Sequence, residues 1–294
     1  MAIDEYARWL GRIIVVVAVI MIVWGVSVVL GQDVTGWFTA SVTISMVCLL
    51  ISVLWQLRGS FTSIAASALA TAVVSRLFSI LNLKPPSSLA GLKPDDLDLL
   101  VATGPGIPGF AVLGWCLGAL IFARFILRAA SAATTAESRE TSLNASALTF
   151  IRVYVGLMFT PHFGSHILGG PYQFKIYTLY FASLGLHMPA MQVLLAGSVE
   201  LISAIGLVLG LFTRPVALLA SVYLLLSMLW GGHFHVGYVW ALPNGGYEFG
   251  LFWAVIIAVF AVLGGGHNSI DSKLWLSEPA RRFLPEFIRK ILAS

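Results

Sequence analysis

The chain has 294 residues, of which 59% are hydrophobic and only 10% charged, with a formal net charge of +4. Soluble domains carry about 25% charged residues, so this chain has too few polar groups to cover a water-facing surface, and lipid is its expected solvent. The positive balance comes without a basic groove, zinc-finger spacing or aromatic-basic RNA signature, which excludes nucleic acid as a partner.

Apolar stretches recur along the chain, each long enough to cross a hydrocarbon core of ~30 Å at about 1.5 Å per residue. They predict spans at 13–31, 36–57, 61–82, 107–127, 150–168, 190–210, 215–232 and 247–265. The first reads as a retained helix and not a signal peptide, because Asp4 and Glu5 weaken the n-region and no A-x-A site follows. With the N-terminus inside, most Lys and Arg residues, Arg12, Arg58, Arg128 and Arg214 among them, fall on the inner side, whereas Lys84, Lys93 and Lys175 fall outside. Dropping the third span would abolish this bias. Arg76, toward the outer end of that span, is expected to snorkel. Cys48 and Cys116 lie inside apolar stretches and read as core thiols, too few for a disulfide framework or a CxxC pair.

The expected fold is therefore an all-α integral membrane protein with eight transmembrane helices in two four-helix halves, both termini inside. Residues 1–128 form the first half, with a long outer loop at 84–106, and the small, polar stretch 129–149 is a cytoplasmic linker. Residues 150–268 form the second half and carry all six histidines. The tail, 269–294, places Leu276, Phe283, Leu284, Phe287, Ile288 and Ile291 at helical spacing with Arg281, Arg282, Arg289 and Lys290 opposite. That pattern suits an amphipathic helix on the inner membrane surface; packing on the protein's own inner loops is the plainer reading.

Ionisable groups deep in a bilayer are costly and each warrants a functional hypothesis. Glu200 lies ~15 Å into the sixth span, near the midplane. It is a candidate proton acceptor or quinone ligand; the plainer reading is a hydrogen bond that fixes helix packing. His162 and His166 are four residues apart, which on a regular helix puts them on one face, and Pro161 should kink the helix beside them. His233 and His235 form an H-x-H at the outer end of the seventh span, and His187 also lies outside. Imidazoles ligate metals or haem, relay protons or simply hydrogen-bond, and the spacing leaves these open. The segments 169–189 and 233–247 are aromatic and too short to span, and are expected to roof the outer end of the second bundle at headgroup level. A roofed, aromatic, His-lined cavity suits a flat lipophilic ligand such as a quinone; an interfacial lid that holds no ligand fits the same pattern equally.

The residues Arg152, Gly156, Phe159 and His162, then Phe181 to Pro189, Glu200, Gly206, Gly210 to Arg214, and Gly245 to Glu248 followed by Gly264 to Asp271, fall in an order and spacing that resembles the DoxX/DoxD family. The resemblance covers residues 150–271. It implies a four-helix membrane bundle in a prokaryotic cytoplasmic membrane. In the DoxD type it implies the membrane subunit of a thiosulfate:quinone oxidoreductase, which couples oxidation of thiosulfate to tetrathionate with quinone reduction. The chain departs from the family at Phe163 and His166, where Gly and Lys are usual, and in its four additional N-terminal helices.

Two functions follow as expectations. In the first, the chain is a quinone-linked oxidoreductase subunit. Glu200 and His162 then handle protons, and His166, His233, His235 and Glu248 contact the cofactor, the donor or a partner subunit. No Rossmann, CxxCH or Fe–S cysteine pattern is present, so electrons reach the quinone from the donor directly or through a membrane or periplasmic partner. In the second, the chain is a non-catalytic anchor or assembly subunit of a respiratory or oxidative-stress complex. A transporter is the weakest reading, since no matched pair of broken helices marks a site.

Overall fold

The computed structural model describes residues 3–81, 106–135, 139–239, 241 and 245–276, and every regular element among them is helical. In chain order these are α1 (Ile3–Leu30), α2 (Gly36–Trp55), α3 (Phe61–Ser79), α4 (Pro108–Thr135) and α5 (Arg139–Leu157). There follow α6 (Thr160–Phe163), a π-helical turn (Gly164–Leu168), α7 (Gly170–Ser183), α8 (Pro189–Leu209), α9 (Thr213–Trp230), α10 (His233–Val236), α11 (Glu248–Leu263) and α12 (Ile270–Leu276). Among the described residues seven helices are long and apolar enough to cross a membrane. The expected eighth span corresponds to α11, which has 16 residues, or ~24 Å, short of a ~30 Å core. Gly264 at φ 73° ends it two residues before the expected limit.

Several expectations are revised. The stretch 129–149 is helical up to Thr135 and again from Arg139, because its alanines and charged residues favour helix even without an apolar stripe. Cys48 and Cys116 are exposed free thiols, not core thiols; in lipid an apolar run says nothing about which residues face inward. The aromatic segment 169–189, expected to be too short to span, contains α7, 14 residues long and not among the seven spanning helices. The outer loop expected at 84–106, up to residue 105, and the tail beyond Leu276 lie outside the described residues.

The chain forms two compact units that do not follow chain order: residues 1–146 with 160–198, and residues 147–159 with 199–294. In the first unit α1 and α3 each pack on α2 and α4. Ser60 caps α3, its Oγ accepting from Ser63 N at 3.2 Å. Small residues (Ser63, Ala65, Ser67, Ala70, Thr71) share the buried face of α3 with larger apolar ones, and Ser67 Oγ donates to Ser52 O of α2 at 2.9 Å. Phe78 stacks on Phe110 with centroids 3.8 Å apart. One end of this unit is closed by Arg124, 3% exposed, which donates to Ala7 O and to Gln56 O, while Gln56 Nε2 donates to Gly11 O at 3.0 Å. A Cβ on Gly11 would sit 2.7 Å from Arg124 Cζ. Gly11→Ala is therefore expected to displace the guanidinium from both carbonyls and destabilise the unit by about 1–3 kcal/mol. Thermal unfolding in detergent, followed by tryptophan fluorescence, reads this as a lowered midpoint; an unchanged midpoint would show that Arg124 moves without cost.

In the second unit α9 packs along α11, with Ser221 Oγ donating to Ala254 O at 3.1 Å. The end of α5 approaches α8 closely at Gly156, where a Cβ would meet Leu207 Cβ and Val208 Cγ2 at 2.9 Å. Trp253 ties α11 to α5 through Nε1 to Val155 O at 3.0 Å and through its ring against Phe159 at 4.4 Å. Two charged groups then close the junction of α8 and α9. Arg152 Nη1 donates to Leu207 O and to Val208 O, orphan carbonyls at the end of α8, and Nη2 donates to Asn268 O. The Asp271 carboxylate accepts from Phe212 N at 2.7 Å, Thr213 N at 2.8 Å and Thr213 Oγ1 at 2.8 Å, capping α9. The turn between them needs Gly210 at φ 67° and holds Phe212 at φ 47°.

Candidate functional site

The sequence candidates fall in both units. His162 and His166 belong to the first, and Glu200, His233, His235 and Glu248 to the second.

In the second unit Glu200 projects from α8 and is 2% exposed. Tyr223, on α9, donates its hydroxyl to Glu200 Oε1 at 2.5 Å. Ser203, one turn along α8 and fully buried, has an Oγ with no hydrogen-bond partner. A carboxyl and a phenol thus meet between two membrane helices, with an idle hydroxyl one turn along α8. Such a pair can hold a proton between helices and pass it along the hydrogen bond. Tyr223 escaped the sequence reading, although a phenol inside the apolar run of α9 needs an acceptor when buried, and Glu200 on the preceding helix is one.

His233 and His235 on α10 and Glu248 at the start of α11 flank one connection, residues 237–247. Its ends are joined by Gly246 N to Val239 O at 3.1 Å, Tyr247 N to Gly237 O at 3.0 Å and Glu248 N to Tyr238 O at 2.9 Å. His233 Nδ1 lies 2.8 Å from Gly245 O and braces the loop, whereas His235 is exposed. Glu248 opens α11 and lines a cleft of about 420 Å³ with Tyr238, Phe249, Leu251, Phe252 and Val255.

In the first unit His162 and His166 do not share an environment: His162 is exposed and His166 is 5% exposed. Helix α5 stops at Leu157, whose carbonyl Pro161 cannot serve, and the chain resumes as α6 and then the π turn. Wider winding breaks the four-residue register expected of a regular helix. His166 points into the unit, edge-on to Tyr177 at 4.2 Å and to Phe181 at 5.9 Å. Arg76 does not snorkel. Its Nε and Nη2 donate to Ser165 Oγ at 3.1 and 2.6 Å, its Nε also to Pro161 O at 3.3 Å, and its Nη1 to Ser79 Oγ at 3.2 Å. The side chain turns toward the irregular segment because the broken helix presents it with acceptors.

Among the described residues no group of three or more His, Cys, Asp or Glu side chains could hold a metal ion.

The fold and these buried polar clusters define a multi-pass α-helical membrane protein. Through residues 147–233 the chain matches the DoxX family model. It is 29% identical over 133 residues to an uncharacterized protein of Haemophilus influenzae, a match covering 44% of this chain and 90% of that one. No solved structure matches the chain. The matched residues span both Arg152 and Glu200. Arg152, Gly156 and Gly210, which carried the resemblance together with Asp271, serve the helix junction of the second unit.

Proposed function

We propose that this protein is the membrane subunit of a quinone-linked oxidoreductase, with Glu200 and Tyr223 as its proton-handling pair. The observation that carries the reading is the buried Glu200 carboxyl hydrogen-bonded to Tyr223 across two helices, beside the unpartnered Ser203 hydroxyl. An intramembrane carboxyl is costly to retain unless it serves a path for ions or protons. A quinone supplies two-electron, two-proton redox chemistry when bound, and the residues present fit one: apolar helix faces, aromatic rings and a few convergent hydrogen-bonding groups. Glu200 would deliver protons into the bundle from its own carboxyl, with Tyr223 orienting it. His162 is the second proton group. Within the first unit His166 is the proposed ligand contact; within the second, His233 and His235 on α10 and Glu248 at the start of α11 are proposed to meet the electron donor or a partner subunit.

The donor class we propose is a small sulfur anion or thiol. Two thiosulfate ions joining as tetrathionate release two electrons, the number a quinone accepts. The eight-span topology with both termini inside a prokaryotic cytoplasmic membrane belongs to the same proposal, with α11 completing the crossing through its flanking residues. A second reading, an anchor or assembly subunit, is supported by one observation: many of the residues that carry the family resemblance are engaged in helix packing and capping.

The test is purification in mild detergent, followed by assay of bound quinone, thiosulfate-dependent quinone reduction and co-purifying chains. Bound quinone with donor-dependent reduction is expected. Absence of quinone and activity, together with a stoichiometric partner, would favour the anchor.

A further inference from the structure

The π turn of the first unit carries a second polar cluster that the Glu200 site does not use. Gln173, on α7, is 0% exposed, and neither its Nε2 nor its Oε1 has a hydrogen-bond partner. Thr160 Oγ1, at the head of the same irregular segment, is likewise buried without a partner. Leaving a buried amide unpaired costs about 1–3 kcal/mol, and native proteins rarely do so without a reason. The surrounding structure holds Gln173 in place: a Cβ on Gly169 would lie 2.7 Å from Gln173 Cγ and 2.9 Å from Ile80 Cδ1. The amide stem and Ile80 therefore lie together against the glycine. Ile80 follows Arg76 by one turn, roughly 6 Å along the chain direction of α3. At Gly164 a Cβ would meet Arg76 Cγ at 3.0 Å, so the arginine stem packs against the π turn in the same way. Tyr177, four residues after Gln173 and on the same face of α7, lies within electrostatic range of Arg76 and carries the His166 ring edge-on.

We infer that Arg76, Gln173 and His166 seat the oxygen-bearing end of a flat, lipophilic carbonyl ligand, with the guanidinium and the Gln173 amide donating to a ring oxygen. The inference rests on the quinone reading proposed above and places a ligand seat within the first unit alone. Guanidinium and amide N–H groups suit carbonyl oxygens, and Gln173 Oε1 can accept from the hydroxyl of the reduced ring. π turns recur at functional sites because they break a helix ladder and turn side chains inward. Arg76 lies outside the residues that match the family, so the N-terminal helices would complete this site, which gives them a role beyond docking.

The experiment uses the full-length protein in lipid nanodiscs with a decyl-substituted benzoquinone as probe, its Kd measured by equilibrium binding and the unfolding midpoint recorded in parallel. Gln173→Leu and Arg76→Gln are each expected to raise Kd about tenfold, the worth of one well-placed hydrogen bond. Arg76→Lys should recover only part of the loss, since the ammonium lacks the planar fork. Gln173→Leu removes an unpaired buried amide, so its midpoint should hold or rise while binding falls; a purely structural glutamine gives no such split. Wild-type Kd in both Gln173→Leu and Arg76→Gln would overturn the assignment and leave the quinone reading standing. No quinone binding by the wild-type protein would overturn both.

Discussion

Replacing Arg152 with alanine is expected to destabilise the second unit by about 3–5 kcal/mol, the range seen when a buried charged network loses one member. The guanidinium is 1% exposed and supplies donors to Leu207 O, Val208 O and Asn268 O. Its removal strands two carbonyls at the end of α8 and a third at Asn268, and opens a cavity against Gly210, where a Cβ would sit 2.9 Å from Arg152 Cζ. The opposite half of the junction depends on Asp271 at the start of α9. Asp271→Ala should therefore act in the same direction by about 1–2 kcal/mol, the usual worth of a helix cap. Because both residues serve one junction, the double variant should lose less than the sum of the two single losses. Unfolding midpoints in detergent measure this, with Arg152→Ala lowered by roughly 6–20 °C at about 2–4 °C per kcal/mol for a chain of this size class. A midpoint within a degree or two of wild type would mean that the junction holds without its arginine.

Glu200→Gln carries the second large effect. Glutamine keeps the shape of the side chain and an oxygen to accept from Tyr223, but cannot exchange a proton at working pH. If Glu200 is the group that supplies protons, quinone reduction should fall by about 10²–10⁴-fold, the usual contribution of a positioned acid or base, with the unfolding midpoint and quinone affinity preserved. Tyr223→Phe removes the hydrogen bond at 2.5 Å and leaves the carboxyl in place, so its loss should be smaller, about tenfold. Initial rates of quinol formation, compared with Kd for the quinone, separate the two contributions. Equal rates in Glu200→Gln and wild type would remove the carboxyl from the chemistry and make it a packing residue.

The membrane class was legible because apolar runs long enough to cross a bilayer are written directly in the residues, and α2, α3, α8 and α9 lie close to their expected limits. What escaped depended on local breaks and on pairing between helices. A regular helix through 150–168 put His162 and His166 on one face; the stop at Leu157 and the π turn separated them, and no residue pattern announces a π turn. Arg76 read as a snorkelling cation because periodicity shows depth and not direction. Its acceptors, Ser165 and Pro161 O, lie almost ninety residues away in sequence. Glu200 stood out by its cost alone, whereas its partner Tyr223 blended with ordinary aromatic residues of membrane helices. Arg152 and Asp271 stood out only as residues of the family resemblance, and the helix ends that each one caps are apparent only in the folded unit.

Redox-triggered infrared difference spectroscopy of the purified, quinone-loaded protein tests the central claim most directly. Reduction of the bound quinone should produce a change in the carboxyl C=O stretching band that is present in the wild-type protein, shifted in Tyr223→Phe and lost in Glu200→Gln. A spectrum without a carboxyl signal, or one that Glu200→Gln leaves unchanged, would contradict the assignment of Glu200 as the proton-handling group.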